Sequence, residues 1–264
     1  MVQLADWSGL VRARTNDFDA LLVLAPVARA GGTWSGPFRA TASDGHDYFV
    51  KSLDTTPPGE GASLAVEFIV AEVGRLIGAP VCQTSLIRIP QAIAGWEPRP
   101  GTPLKAGLAH ASRALVRADE QGRPRLAARA QDDNRHRHVG VYALYDWCCG
   151  ADAQWLYDLD NDSTLYSHDH GLYLPPAGKG GWTIPDLVAS ADTPSALPDP
   201  RDGLSPAAIS KFAAALDAVD RAGLVSIMNR VPLSWPVGDD ELDALGWFLE
   251  HRAPVVAQRL RALV

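Results

Sequence analysis

The stretch YSHDHGLYL, Tyr166 to Leu174, concentrates titratable side chains: Asp169 sits between His168 and His170 and is followed at once by Gly171. Three readings of Asp169 compete: a metal ligand, an acid/base group, or an acidic turn. Asp152 lies upstream, separated from Asp169 by a short loop and strand, and Lys51 and Glu67 lie much earlier. Phosphoryl transfer needs this set. A lysine neutralises phosphate charge, and a glutamate holds the lysine. One aspartate positions or deprotonates an acceptor hydroxyl, and another binds the magnesium that bridges the phosphates. Mg²⁺ prefers carboxylates and water, so Asp169 suits it better than either flanking imidazole. A zinc site on His168 and His170 would need a further ligand, with His136 and His138 as conceivable partners. The run DDNRHRH reads more simply as a polar helix start.

These residues must be carried by suitable elements. GGTWSGPFRATASDGHDYFVKSL reads as a glycine-bearing loop and a hairpin. Asp44-Gly45 makes the turn. Tyr48, Val50 and Ser52 then face one way, and Phe49, Lys51 and Leu53 the other. SLAVEFIVAEVGRLIGAPV reads as a helix capped by Ser63, with Val66, Val70, Val73 and Ile77 as its apolar stripe. Glu67, Ala71, Gly74 and Gly78 line a neighbouring small-residue face, which would let the helix approach a sheet closely with Glu67 aimed at it. VCQTSLIRI reads as a strand, and the Pro/Gly-rich stretch 91–107 as a linker. DDNRHRHVGVYALYDWCCG reads as a helix ending near Gly150, followed by a turn through ADAQWLYDLDND and the strand TLYS. Pro175 to Leu204 reads as irregular. SPAAISKFAAALDAVDRAG reads as a helix capped by Ser205 and ended by Gly223, and the C-terminal stretch as a helix broken or kinked near Pro254.

The 264 residues suffice for one large domain or two lobes. A net charge of −7 argues against general nucleic-acid binding. Arg113, Arg117, Arg123, Arg125 and Arg129 form a basic stretch, read as solvated unless it meets an acidic substrate. The three cysteines, Cys82, Cys148 and Cys149, show no paired spacing, which fits inert buried thiols and a reducing cytoplasm. No run is long and apolar enough to span a bilayer, and the first thirty residues lack the pattern of a secretory leader. A cytoplasmic protein without membrane partners is expected.

In order and spacing, several stretches together resemble the HipA-like kinases, a branch of the protein-kinase-like and phosphoinositide-kinase-like superfamily. SGPFRATASDGHDYFVKSL is similar to that family's opening hairpin. VEFIVAEVGRLIGAPV is similar to its glutamate-bearing helix, and GLAHASRAL to a small Gly/Ser loop opening the helical lobe. YDWCCGADAQWLY followed by YSHDHGLYL resembles its catalytic loop and metal-binding strand, and VPLSW a late landmark at Trp235. The resemblance implies an α+β, two-lobed protein-kinase-like fold: a small sheet-rich lobe over residues 1–104 and a larger helical lobe over 105–264. It implies ATP and Mg²⁺ as cofactors, Lys51 on the phosphates, Glu67 supporting Lys51 or the nucleotide site, Asp152 as catalytic base and Asp169 as metal ligand.

The family's catalytic loop runs Asp-Arg-His/Gln-x-x-Asn, with the Asn as second metal ligand. Here it reads DAQWLYD, with Ala153 in place of the basic residue and Tyr157 five positions after Asp152. Asp158 or Asn161 would then have to replace the Asn as metal ligand. Trp155 falls within the loop, where it would shape a substrate pocket. Three functions follow from the resemblance: a kinase acting on Ser or Thr of a protein, a catalytically impaired nucleotide-binding pseudokinase or scaffold, and a small-molecule kinase.

Overall fold

The computed structural model describes residues 2–28, 35–122 and 126–263. Gly31 to Trp34 of the expected glycine-bearing loop, and Arg123 and Arg125 of the basic stretch, lie outside the described residues.

The first part of the chain closes into a five-stranded barrel in the order β1-β2-β3-β5-β4. Its strands are β1 (Leu21–Ala28), β2 (Phe38–Ala42), β3 (Asp47–Lys51), β4 (Thr84–Ile89) and β5 (Gly107–Arg113). Period-two alternation makes this possible. Phe38, Ala40, Ala42, Tyr48 and Val50 point inward with Val23, Ile87, Ile89, Ala109 and Ala111 to form a separate small core. Alanines on β2 and β5 suit an interior this narrow. The closing contact is parallel, Leu21 to Ile87 and Leu22 to Arg88.

GLAHASRAL is a strand here, not a loop: β5 pairs with both β3 and β4. The barrel therefore continues past the 104/105 division drawn from the sequence. The Pro/Gly-rich stretch 91–107 forms an excursion between two barrel strands, and Leu104 from it enters the barrel core.

Helix α1 (Ser63–Leu76) lies outside the barrel and is buried along almost its whole length. Its N-cap is Ala62 without a side-chain bond, so Ser63 is the first helical residue instead of the cap. A Cβ on Gly74 would come within 2.7 Å of Val81 and 3.2 Å of Leu144. The small-residue face thus lets α1 approach two different bodies: Val81 and Leu144 at its C-terminal end, and Lys51 at the Glu67 end.

A second sheet has the order β6-β7-β8, from β6 (Ala118–Gly122), β7 (Gln154–Asp158) and β8 (Thr164–His168). Most of ADAQWLYD is therefore a strand, not a loop. Trp155, Tyr157 and Leu165 from this sheet enter the main core, so Trp155 packs inward. A parallel bridge between Val81 and Ser167 ties the end of the α1 connection to β8.

The remaining helices are α2 (Asn134–Trp147), α3 (Ile184–Ser190), α4 (Pro206–Asp217), α5 (Arg221–Asn229) and α6 (Asp239–Arg261). The stretch expected to be irregular contains α3. Ser205 caps α4 through a 3.3 Å bond from Ala208 N–H, with Pro206 first in the helix. The helix expected to run to Gly223 ends at Asp217, because Asp220 caps a new helix through Gly223 N–H. Pro254 lies inside α6, which stays helical throughout.

Candidate active site

Lys51 is the last residue of β3 and sits on the outer face of the barrel, paired in register with His110 on β5. Tyr48 and Val50 point into the barrel core, as alternation requires. Phe49 and Leu53, on the Lys51 side, are largely exposed, whereas Lys51 is 9% exposed. What covers Lys51 is acidic. Its ammonium donates to Glu67 of α1 and, at 2.5 Å, to Oδ1 of Asp169. Burial opposes a charge on Lys51, but the two carboxylates outweigh it and hold the ammonium above its ordinary range.

Glu67 does two jobs. One oxygen meets Lys51, and the other accepts the backbone N–H of His170 at 2.9 Å. Burial pushes its carboxyl up to about 7 against the pull of Lys51. Gly171 leaves room for this contact: a Cβ there would lie 3.0 Å from Glu67 Oε1. Asp169 follows β8 with a φ of +55°. Although burial works the other way, Lys51 holds its carboxyl well below the usual carboxylate range.

The flanking histidines are occupied or buried. His170 Nε2 pairs with Ser167 Oγ at 2.7 Å, and its ring packs edge-on against Tyr173. Burial lowers His170 to about 3 and His168 to about 4. His136 meets Ser205 and the Asp133 carboxylate, and His138 accepts from Arg129. None of these contacts supports the zinc reading.

Asp152 and Asp169 leave the β7–β8 ladder at the same end. Gln154 faces His168 in register; Asp152 precedes Gln154 by two residues, and Asp169 directly follows His168. Asp152 is exposed and accepts a 2.9 Å bond from the Gln154 amide. Its φ of +47° is unusual for a residue with a Cβ. The same conformation recurs at Asp132, Asp133 and Asp162, so backbone strain alone does not mark the chemistry.

Asp158 is not brought to this end. It faces Thr164 at the other end of the ladder, about 13 Å along the strand from Gln154. Its oxygens accept from Asp160 N–H at 3.1 Å and from the Asn161 amide at 2.6 Å. The Asn161 amide and Asp158 carboxylate meet in the hairpin turn, at the opposite end of the ladder from Asp169. Tyr157 points to the opposite face of β7 from Gln154, and its hydroxyl donates to Ala127 C=O at 3.0 Å. The arginines expected to form a basic stretch disperse: Arg113 to Gln83, Arg117 to Asp160, and Arg129 to Asp199. The three thiols are free and buried, and burial raises each of them.

The donor set fits Mg²⁺. Among the described residues no three His, Cys, Asp or Glu side chains converge to hold a metal unaided. A cation held by one or two carboxylates, with phosphates and water completing its shell, needs no such cluster. Asp169 would supply one carboxylate, and its side chain remains one-third exposed.

The chain has the fold of a kinase of known structure. The crystal structure of the Helicobacter pylori proinflammatory kinase CtkA superposes with a TM-score of 0.55 at 12% identity, covering 96% of this chain and 99% of that one. Two structures of the Golgi casein kinase align at a TM-score of 0.47. The one with Mn/ADP bound has 10% identity and covers 99% of this chain and 77% of its own. The other has 9% identity and covers 98% and 75%.

The family described as HipA-like kinase matches residues 26–147, so over that stretch the chain is similar to the family that the sequence resemblance pointed to. The matched stretch holds Lys51 and Glu67 and ends at Trp147, before Asp152 and Asp169. No curated protein matches the chain.

Proposed function

We propose that the protein is an ATP- and Mg²⁺-dependent phosphotransferase that moves the γ-phosphoryl group to a hydroxyl. The observation that carries this reading is the bridge from Lys51 to both Glu67 and Asp169, which joins three separate segments through one buried cation. The barrel with α1 acts as one lobe, ending at Arg113 instead of Leu104, and the helices with the β6–β8 sheet act as the other. ATP binds between them.

Lys51 contacts the phosphates, Glu67 holds Lys51, and Asp169 holds Mg²⁺. Bound Mg²⁺ neutralises charge on the phosphate oxygens. Asp152 takes the proton from the acceptor hydroxyl as the new O–P bond forms and the bond to the β-phosphate oxygen breaks, releasing ADP. The acceptor is a Ser or Thr of a protein, by analogy with HipA-like kinases. No helix among the described residues is long and apolar enough to cross a membrane.

A second reading, a nucleotide-binding pseudokinase, is favoured by one observation: the position five residues after Asp152 is Tyr157, which is engaged in the core. Calorimetry of ATP binding with and without Mg²⁺, followed by a radiolabelled ATP transfer assay, separates the two. Kinase function predicts Mg²⁺-dependent ATP binding, and transfer that Asp152→Ala and Asp169→Ala each strongly reduce. Absence of ATP binding overturns both readings, and binding without transfer to any Ser/Thr or small-molecule acceptor favours the pseudokinase.

A further inference from the structure

Two imidazoles beside the Lys51–Asp169 contact keep a buried Nε2 that meets no hydrogen-bond partner among the described residues: His110 and His168. His110 faces Lys51 in register and is 2% exposed, on a strand that α1 packs against. His168 directly precedes Asp169 and is half-buried, which makes it the one a ligand can reach. Its neighbour His170 differs, because Ser167 Oγ satisfies that ring. On β8, Leu165 enters the main core and Ser167 is 1% exposed. Alternation turns Tyr166 and His168 to the other face. Tyr166 there lines a cavity with Arg113, Ala114 and Leu115 at the end of the barrel. This face of β8 therefore turns toward the barrel, and the charges that act on His168 are those of Asp169 and Lys51.

Buried polar atoms are nearly always paired, so an unpaired one beside a site calls for a partner that arrives with the ligand. We propose that His168 is a phosphate-binding residue, its Nε2–H donating to a phosphate oxygen of the bound nucleotide. This rests on the reading above, in which Lys51 and Asp169 meet the phosphates and their metal. Lys51 is divided between Glu67 and Asp169, and these two carboxylates only accept. The imidazole adds a donor from the hairpin side of the site. Entry of the phosphates between Lys51 and Asp169 opens that side of the hairpin to Nε2.

Two measurements on the full chain test this. In the first, ADP, pyrophosphate and adenosine, each with Mg²⁺, are titrated by calorimetry into the wild type, His168→Leu and His168→Gln. His168→Leu weakens ADP and pyrophosphate by about 10- to 100-fold, the worth of a hydrogen bond to a charged group, and leaves adenosine unchanged. His168→Gln returns an N–H donor and recovers most of the loss. In the second, the His168 Nε2 resonance of ¹⁵N-labelled wild type, identified by its absence in His168→Gln, shifts when pyrophosphate is added. Unchanged ADP and pyrophosphate affinity in His168→Leu, an equal loss for adenosine, or a resonance that pyrophosphate does not move overturns the proposal. If His168→Leu does not fold, the wild-type resonance decides. A wild type that binds ADP but transfers no phosphate overturns the kinase activity alone, and the titrations still decide His168. A wild type that binds neither ADP nor pyrophosphate overturns both.

Discussion

The two ends of the β7–β8 hairpin are both acidic and both contain aspartates with positive φ, yet they do different work. At the closed end, Asp158 is satisfied by Asp160 N–H and Asn161, and Asp132 by Thr164 and Arg137. Most of these donors are close in sequence or belong to the same turn. At the open end, Asp169 is satisfied by Lys51, 118 residues away on another sheet. An aspartate whose lone pairs are used by its own turn has little left for a ligand. One held by a distant cation can exchange that partner for a metal or a phosphate-bound ion. The origin of the partner, more than the density of charge, separates the end that carries the candidate site from the turn end.

The largest effect that tests this contrast is expected at the open end. Asp169→Ala should lower phosphoryl transfer by about 10²–10³-fold, measured by radiolabelled ATP, and abolish the Mg²⁺ dependence of ATP binding. Retained Mg²⁺-dependent binding would move the metal site elsewhere.

Lys51→Met leaves Glu67 buried with no cation beside it. Breaking a buried pair by removing one partner costs roughly 3–5 kcal/mol, so chemical denaturation should show a large loss of stability as well as loss of transfer. Unchanged stability would mean that the bridge is not formed in solution.

Gly171→Ala places a methyl group 3.0 Å from the Glu67 carboxylate. The expected cost is about 1–3 kcal/mol, as for overpacking generally. ATP affinity should fall with it, because Glu67 also holds Lys51 and the backbone of His170. A stability loss without any change in ATP affinity would uncouple the helix from the site.

The smallest effect should come from the closed end. Asp158→Asn should change stability by about 1 kcal/mol, the net worth of an ordinary hydrogen bond, and leave Mg²⁺-dependent ATP binding unaltered. Loss of that binding would erase the distinction between the two ends.

Much of the barrel could be read from the chain. Alternation and the Asp44-Gly45 turn put Tyr48 and Val50 on one face and Lys51 on the other, because strand side chains alternate whatever the surroundings; the barrel decided which face is the inner one. Ser205 was legible as a cap for the same local reason. The end of α4 was missed, because Asp220 opens a new helix through a bond to Gly223 that no apolar pattern announces. The strand β5 was missed because GLAHASR has few large apolar residues. Its alanines fit only a barrel interior narrow enough to need them.

What the sequence by itself determined is the inventory and the local directions: a lysine on the opposite hairpin face from Tyr48 and Val50, a glutamate on a small-residue helix face, and an aspartate two residues before a glycine. The tertiary structure decided which carboxylates meet that lysine, and that Asp158 stands at the far end of the hairpin from Asp169. The reason is physical. Position along a chain counts residues in one dimension, whereas a paired hairpin sets neighbours by hydrogen-bond register. Register places Gln154 opposite His168 and Asp158 opposite Thr164, at the two ends of the same hairpin.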